Sequence, residues 1–522
     1  MDVDVEARGV SANPDRSPPF KSEKEAAGHS SSLTPSIDDM AAADSASDEV
    51  SSSKKPWHKR APAYFTANTM ELGAIGPIPV EKRTDKRAYT AFTLWFTLNC
   101  NILPITFGML GPEFGCSLRD SALVTLFFTL LTALAPAYFS TLGSQTGMRQ
   151  MMQARYSFGR YIVSIPVLLN MATLTGFCVI MVVIGGQCLT AVSGGSLSPY
   201  VGVVVVSIVA LFISFCGYKV LHIYEKYSWA PALIAIIVAT GCGGKHLKEQ
   251  TVVVTSPAAS IVSYAMVVAS YMLPWAAIAS DFFTYIDPKV KPRTIFLYSY
   301  AGLVLSTVPL MCLGAAIAGA LYNIPAWNTG YDDNMVGGVL DAMLQPAGGF
   351  GKFMTVLLAL SLIGNISATS YAITLNFPML LPLLGRIPRH LYAIFLSAVV
   401  IGVGIGASKN FYDNLNNFIT LIGYWAAAFI GAFLVEHLWF RRANCANYNP
   451  EDWDNAKRLP IGLAAICAAL CSIALIVPSM DQVWYVGPIA KTTGDLGFEF
   501  AFIVTALLYG PFRLLEKKFS GR

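Results

Sequence analysis

From Tyr89 onward the sequence alternates between runs of about 20 mostly apolar residues and shorter polar connections. That run length is what a helix needs to cross about 30 Å of hydrocarbon. The pattern predicts twelve transmembrane helices, over residues 89–110, 121–142, 161–185, 199–218, 228–244, 259–281, 294–320, 353–378, 391–407, 413–437, 459–478 and 496–513. Composition agrees: 54% of the 522 residues are hydrophobic and 13% charged, where a soluble domain carries about 25% charged residues. The chain is expected to be an all-α polytopic membrane protein whose principal surroundings are the lipid bilayer.

The basic residues test the count. Of 36 Lys and Arg, four lie far up the N-terminal tail. Assigned to alternating sides, 26 of the others fall on the side of the N terminus and six (Arg119, Lys245, Lys248, Lys352, Lys409 and Lys491) on the opposite side. A missed span in the middle would scramble this split, so both termini are expected to be cytoplasmic. Residues 1–53 hold 11 acids against 4 bases among many serines, too little apolar surface to offset the entropy of ordering. Residues 1–60 are therefore expected to be a disordered cytoplasmic tail, followed by a juxtamembrane segment over 61–88. Its Lys21 and Lys24 are candidates for regulatory modification, with trafficking or ubiquitin machinery as the corresponding partner, although an inert tail fits equally well.

Other functions are opposed by the residues. The net charge is +4 with no basic stripe carrying interleaved aromatics, so no nucleic-acid partner is expected. The ten cysteines form no C-x-x-C pair, which indicates neither a metal site nor a disulfide framework. Four of the six histidines lie in the tail or in loops, and no H-E-x-x-H or nucleophile motif is present. No catalytic residue, metal or cofactor is expected, and solute transport is the default.

Substrates of transporters commonly sit where helices are interrupted near the midplane. Span 1 carries Asn99, Asn101, Pro104, Gly108, Gly111 and Pro112, and span 6 carries Pro274. Interruptions five spans apart fit an inverted repeat of spans 1–5 and 6–10. Prolines in spans 2, 3, 5 and 7 (Pro136, Pro166, Pro231, Pro309) leave that reading open on spacing alone. Span 8 adds polar groups at membrane depth: Gly364, Asn365, Ser367, Thr369 and Ser370. A buried Asn offers both a donor and an acceptor to a heterocycle edge, or to a neighbouring helix.

Several segments then occur in a familiar order: "FTLWF" and "LGPEFG" in and after span 1, "MRQMMQARYSFG" between spans 2 and 3, and "GYKVLHIYEKYSW" between spans 4 and 5. They continue with "ASDFFTY" in span 6, "EHLWFRR", "YNPEDWDN" and "LPIG" after span 10, and "WYVGPIA" and "GDLGFEF" before span 12. From about Arg87 to Arg522 the chain resembles the fungal purine–cytosine permeases of the nucleobase:cation symporter-1 family. The resemblance implies a LeuT-like 5+5 inverted repeat, with repeat 1 over 89–244, repeat 2 over 259–437, two C-terminal helices within 438–513 and a cytoplasmic tail over 514–522. It also implies a plasma-membrane symporter importing a nucleobase of the cytosine, adenine, guanine and hypoxanthine class with a cation. In fungi that cation is usually a proton.

By the same resemblance, Trp275 is the span 6 tryptophan that packs against the flat substrate, and Asn365 is the second Asn of the family's Asn-Asn-Ile-Pro-Asn motif, which reads the polar edge. Thr106 stands where small hydroxyl residues of span 1 face the site. The chain departs from the family in span 8, which reads Gly364-Asn365-Ile366-Ser367-Ala368, and in span 3, where Phe177 and Met181 replace a Trp and an Asn. Fewer polar groups imply a less polar site, so a paralogue with a shifted substrate is expected. Another heterocycle, of the vitamin B6 or the allantoin and hydantoin type, competes with a nucleobase. A non-transporting sensor is a third reading, for which neither tail offers a signalling domain. If sodium is the coupling ion, Ser367 and Thr369 are the side chains expected to help bind it. Asp281, near the cytoplasmic end of span 6, is either a cap or salt bridge holding that half-helix, with Lys289, Lys291 and Arg293 at hand, or a proton-coupling or gate group.

Overall fold

With no water to pair them, backbone amides at membrane depth are satisfied within helices, and the computed structural model is almost entirely helical. It describes residues 76–215, 227–253, 255–380, 387 and 389–522. The expectations for the N-terminal tail, Lys21 and Lys24 among them, and most of the segment over 217–229 lie outside the described residues. Span 1 is two helices, α1 (Thr90–Asn99) and α2 (Ile102–Glu113). Span 2 is α3 (Leu118–Thr132) with α4 (Leu134–Thr146), and a short helix α5 (Gln150–Phe158) precedes α6 (Ser164–Val192). Then follow α7 (Pro199–Phe215), α8 (Trp229–Gly243), α9 (Ala258–Met272), α10 (Pro292–Leu321), α11 (Pro325–Leu344), α12 (Gly348–Leu380), α13 (Arg389–Ala407) and α14 (Phe411–Val435). The chain closes with α15 (Leu463–Ser479), a two-rung hairpin of β1 (Asp481–Gln482) and β2 (Tyr485–Val486), and α16 (Gly497–Ser520).

Among the described residues eight helices have the length and apolar character to cross a bilayer, and the bent pair α1–α2 makes a ninth. The shorter apolar helices, α7, α8 and α15, fall where spans 4, 5 and 11 were expected. The whole is a multi-pass membrane protein consistent with twelve spans. The connection between spans 7 and 8 is more structured than a loop. It folds as α11, which is broken at Asn334 and Met335, the latter with φ 48°.

Loops that the charge count assigns to one side lie together. Arg155 of α5 donates to Asp454 at 2.7 Å, Gln145 donates to Pro288 O at 3.1 Å, and Arg513 near the end of α16 reaches Glu436 at the end of α14. Burial pushes the Arg155 guanidinium below its ordinary pKa, with Asp454 opposing the shift. On the other side the Ser117 N–H donates to Ser256 Oγ at 2.9 Å, and Ser263 donates to Asp481 at 2.9 Å. Contact is closest where glycine removes the side chain. A Cβ on Gly314 of α10 would fall 2.0 Å from Ile105 O, and one on Gly108 of α2 would fall 2.0 Å from Met311 O. This is the small-residue packing by which membrane helices approach, and it fixes α2 against α10.

Candidate functional site

The chain bends by 56° between α1 and α2, and one residue serves both broken ends. Asn101 is extended (φ −151°, ψ −174°). Its Oδ1 accepts the Leu103 N–H at 2.9 Å, capping α2, while its Nδ2 donates at 2.9 Å to Leu98 O at the end of α1. Groups that a helix terminus leaves unpaired are thus paired without water. Asn99 Nδ2 donates to Trp95 O at 2.9 Å, and Asn365 Nδ2 reaches across from α12 to Leu98 O at 2.7 Å. Pro104 does not make the break. It sits in the first turn of α2, where no N–H is required.

Span 6 breaks differently. After Met272 the α-helix gives way to tight 3₁₀ turns over Leu273–Ala277 and Ala279–Phe283. Pro274 supplies no N–H at the start of the first turn, so the α pattern stops there.

The two interruptions meet at a small enclosed cavity. Leu103 lines it from α2; Leu174, Phe177 and Met181 from α6; Tyr271, Pro274 and Trp275 from span 6; and Asn365 and Thr369 from α12. The gap these side chains leave has room for about one water molecule, so a ring is accommodated only if they part. Aromatic rings form the walls. Trp275 meets Trp95 edge-on at 5.5 Å, Phe177 stacks on Phe107 at 6.3 Å, and Tyr271 contacts Phe107 at 4.8 Å. The polar lining groups are held by protein. Thr369 Oγ1 donates to Asn365 Oδ1 at 3.0 Å, and the Tyr271 hydroxyl donates to Asn99 Oδ1 at 2.7 Å. What remains to a ligand is chiefly apolar contact and aromatic faces, with one N–H of Asn365 and the lone pairs of two hydroxyls as polar capacity.

Five residues named from the sequence therefore come together: Trp275, Phe177, Met181, Asn365 and Thr369. Three do not line the cavity. Thr106 is fully buried and donates back to Ile102 O at 3.1 Å. Ser367 donates to Ala210 O of α7 at 3.2 Å, on the far side of α12 from Thr369. Asp281 accepts the Gln150 N–H at 2.6 Å, capping α5 and tying the "MRQMMQARYSFG" segment to span 6. Among the described residues it forms no ion pair with Lys289, Lys291 or Arg293. Beside it, the Ser280 hydroxyl lies 2.7 Å from Gln150 Oε1. Tyr271, Leu103 and Leu174 were not anticipated. Tyr271 closes the α-helical half of span 6 and Trp275 lies in the 3₁₀ turn that follows it, and both line the cavity. Among the described residues no group of three His, Cys, Asp or Glu side chains is placed to hold a metal ion.

Comparison with known proteins places this geometry. Residues 77–498 match the family model described as permease for cytosine/purines, uracil, thiamine, allantoin. The chain is 32% identical over 472 residues to the purine-cytosine permease FCY2 of Saccharomyces cerevisiae, covering 88% of each. It is 32% identical over 459 residues to the purine-cytosine permease fcyB of Emericella nidulans, covering 87% of this chain and 90% of that one. The vitamin B6 transporter TPN1 of Saccharomyces cerevisiae is 24% identical over 502 residues, with 85% of this chain and 87% of TPN1 covered. Among solved structures, Mhp1, a nucleobase-cation-symport-1 family transporter in a closed conformation with bromovinylhydantoin bound, superposes with a TM-score of 0.66. It is 13% identical, covering 85% of this chain and 95% of Mhp1. The fold is the LeuT-like one expected, with its two interrupted helices enclosing the cavity.

Proposed function

Because the chain belongs to the family of permeases for cytosine/purines, uracil, thiamine and allantoin, a family of transporters and not of enzymes, we propose that it imports a nucleobase together with protons. The observation that carries this is the aromatic-walled cavity at the meeting of two broken helices. Trp275 and Phe177 offer faces to a flat ring, and stacking of a base on an aromatic side chain contributes about 1–3 kcal/mol. Because the closed cavity has no room for a ring, loading and release each require its side chains to part, and in this reading they do so toward opposite sides of the membrane in turn. The site of action in this reading is the plasma membrane, as the family resemblance implies, with both termini cytoplasmic. The orientation is supported by the 26 basic residues assigned to one side and by the clustering of those loops. A proton is favoured over sodium because Ser367 and Thr369 face opposite sides of α12, toward Ala210 O and Asn365 respectively, so their oxygens do not converge on one ion.

One observation favours a second substrate class. Met181 stands in the lining, and the polar side chains around it are bonded to one another, so the site suits a less polar or substituted heterocycle such as vitamin B6. Competition decides between them. In yeast lacking endogenous permeases, uptake of labelled cytosine is expected to be suppressed by excess adenine or hypoxanthine and little affected by pyridoxine. The reverse order would select the second class.

A further inference from the structure

The cavity does not use the full length of the seam between α6 and α12. These helices run antiparallel. Ser164 donates to Leu380 O at 3.2 Å at one end, and Cys178 Sγ lies 3.9 Å from Ser370 Oγ further along. That register sets Met181 level with Asn365 and Phe177 level with Thr369, the two rungs that line the cavity. Continued toward Ser164, the same register sets Asn170 level with Asn376. Seven residues separate Asn170 from Phe177 and Thr369 from Asn376, two helical turns in each case, so both asparagines lie on the faces that build the cavity.

Both side chains are buried, at 0% and 3% exposure. Among the described residues neither Nδ2 nor Oδ1 of Asn170 has a hydrogen-bond partner, and neither has Nδ2 of Asn376. Buried amides left unpaired cost stability, and native structures keep few of them. The contrast with Asn365 is informative: its amide is paired through both atoms. An apolar pair at the Asn170–Asn376 rung would pack a membrane bundle without that cost.

We propose that Asn170 and Asn376 form a second station for the transported heterocycle, which its polar edge meets after leaving the cavity for the side where Ser164 and Leu380 join. Asn170 presents a donor and an acceptor side by side, the complement of a ring edge that pairs a carbonyl or ring nitrogen with an N–H. Asn376 adds a donor for a further ring acceptor. The aromatic cavity holds the face of the ring; the asparagine rung receives its edge. The assignment rests on the transport reading above.

The test is a kinetic split between the two stations. Asn170→Leu and Asn376→Leu, singly and together, are compared with wild type for influx per surface copy, using the heterocycle that wild type accumulates. A station met only after the cavity leaves the KM of influx within about twofold and lowers the maximal rate of the double variant by at least about tenfold, with partial recovery in Asn170→Gln. If the leucine variants do not reach the surface, Asn170→Ser and Asn376→Ser, whose hydroxyls pair with their own helix, carry the same measurement. An unchanged maximal rate per copy in either set overturns the assignment and leaves transport standing. A wild type that accumulates no heterocycle overturns both.

Discussion

Replacing Trp275 by alanine is expected to raise the half-saturating substrate concentration of uptake by about five- to a hundred-and-fortyfold. The estimate follows from about 1–3 kcal/mol of stacking lost with the ring, at about 1.4 kcal/mol per factor of ten. Trp275→Phe, which keeps a π-face of smaller area, is expected to recover most of the affinity. The measurement is concentration-dependent uptake normalised to surface copies, because Trp275 also packs against Trp95 at 5.5 Å and its removal loosens the junction of spans 1 and 6. An unaltered half-saturation with normal surface levels would remove Trp275 from the site.

Asn365→Leu is expected to impair transport of every substrate alike. The Asn365 amide bonds Leu98 O at the break of span 1 and accepts the Thr369 hydroxyl, so its loss unsettles the bent helix rather than one contact to a ring. A buried polar group left without its partner costs about 1–3 kcal/mol. The expected result is a lower thermal midpoint in detergent together with reduced uptake, with the order of competing heterocycles unchanged. A changed order at an unchanged midpoint would mean instead that the amide reads the substrate edge directly.

The spans were legible because hydrocarbon imposes a length and an apolar composition that soluble structure seldom matches. The alternation of loops was legible through charge, and the Arg155–Asp454 and Arg513–Glu436 contacts join loops assigned to one side. Phe177, Met181, Asn365 and Thr369 lie on helices unbroken through the cavity, and Trp275 on the turn after the break of span 6. It was the resemblance to the family, not helical phase, that singled out Trp275, Asn365, Phe177 and Met181. Thr106 was singled out the same way. The break at Asn101 resets the helical phase, so which face of α2 turns to the cavity cannot be counted from the start of span 1, and Leu103 takes the place expected of Thr106. Ser367 illustrates the opposite case. Two residues along a helix are about 200° apart around its axis, so Ser367 points away from Thr369 and toward Ala210 O of α7. The helical form of 325–344 was hidden because Asn328, Asp332 and Asp333 lower its hydropathy below that of a span. Asp281 was recognised as a cap or a gate, but its partner, the Gln150 N–H, lies 131 residues away in the sequence and only the fold brings it near.

The most direct test of the central claim is uptake of labelled cytosine by yeast that lack their own permeases and express this chain, measured with and without a protonophore. One proton moving down 100 mV supplies about 2.3 kcal/mol, enough for accumulation of about fiftyfold. The account predicts saturable uptake that exceeds the external concentration, persists without sodium and collapses when the protonophore is added. Uptake that merely equilibrates, or that needs sodium and ignores the protonophore, would contradict it.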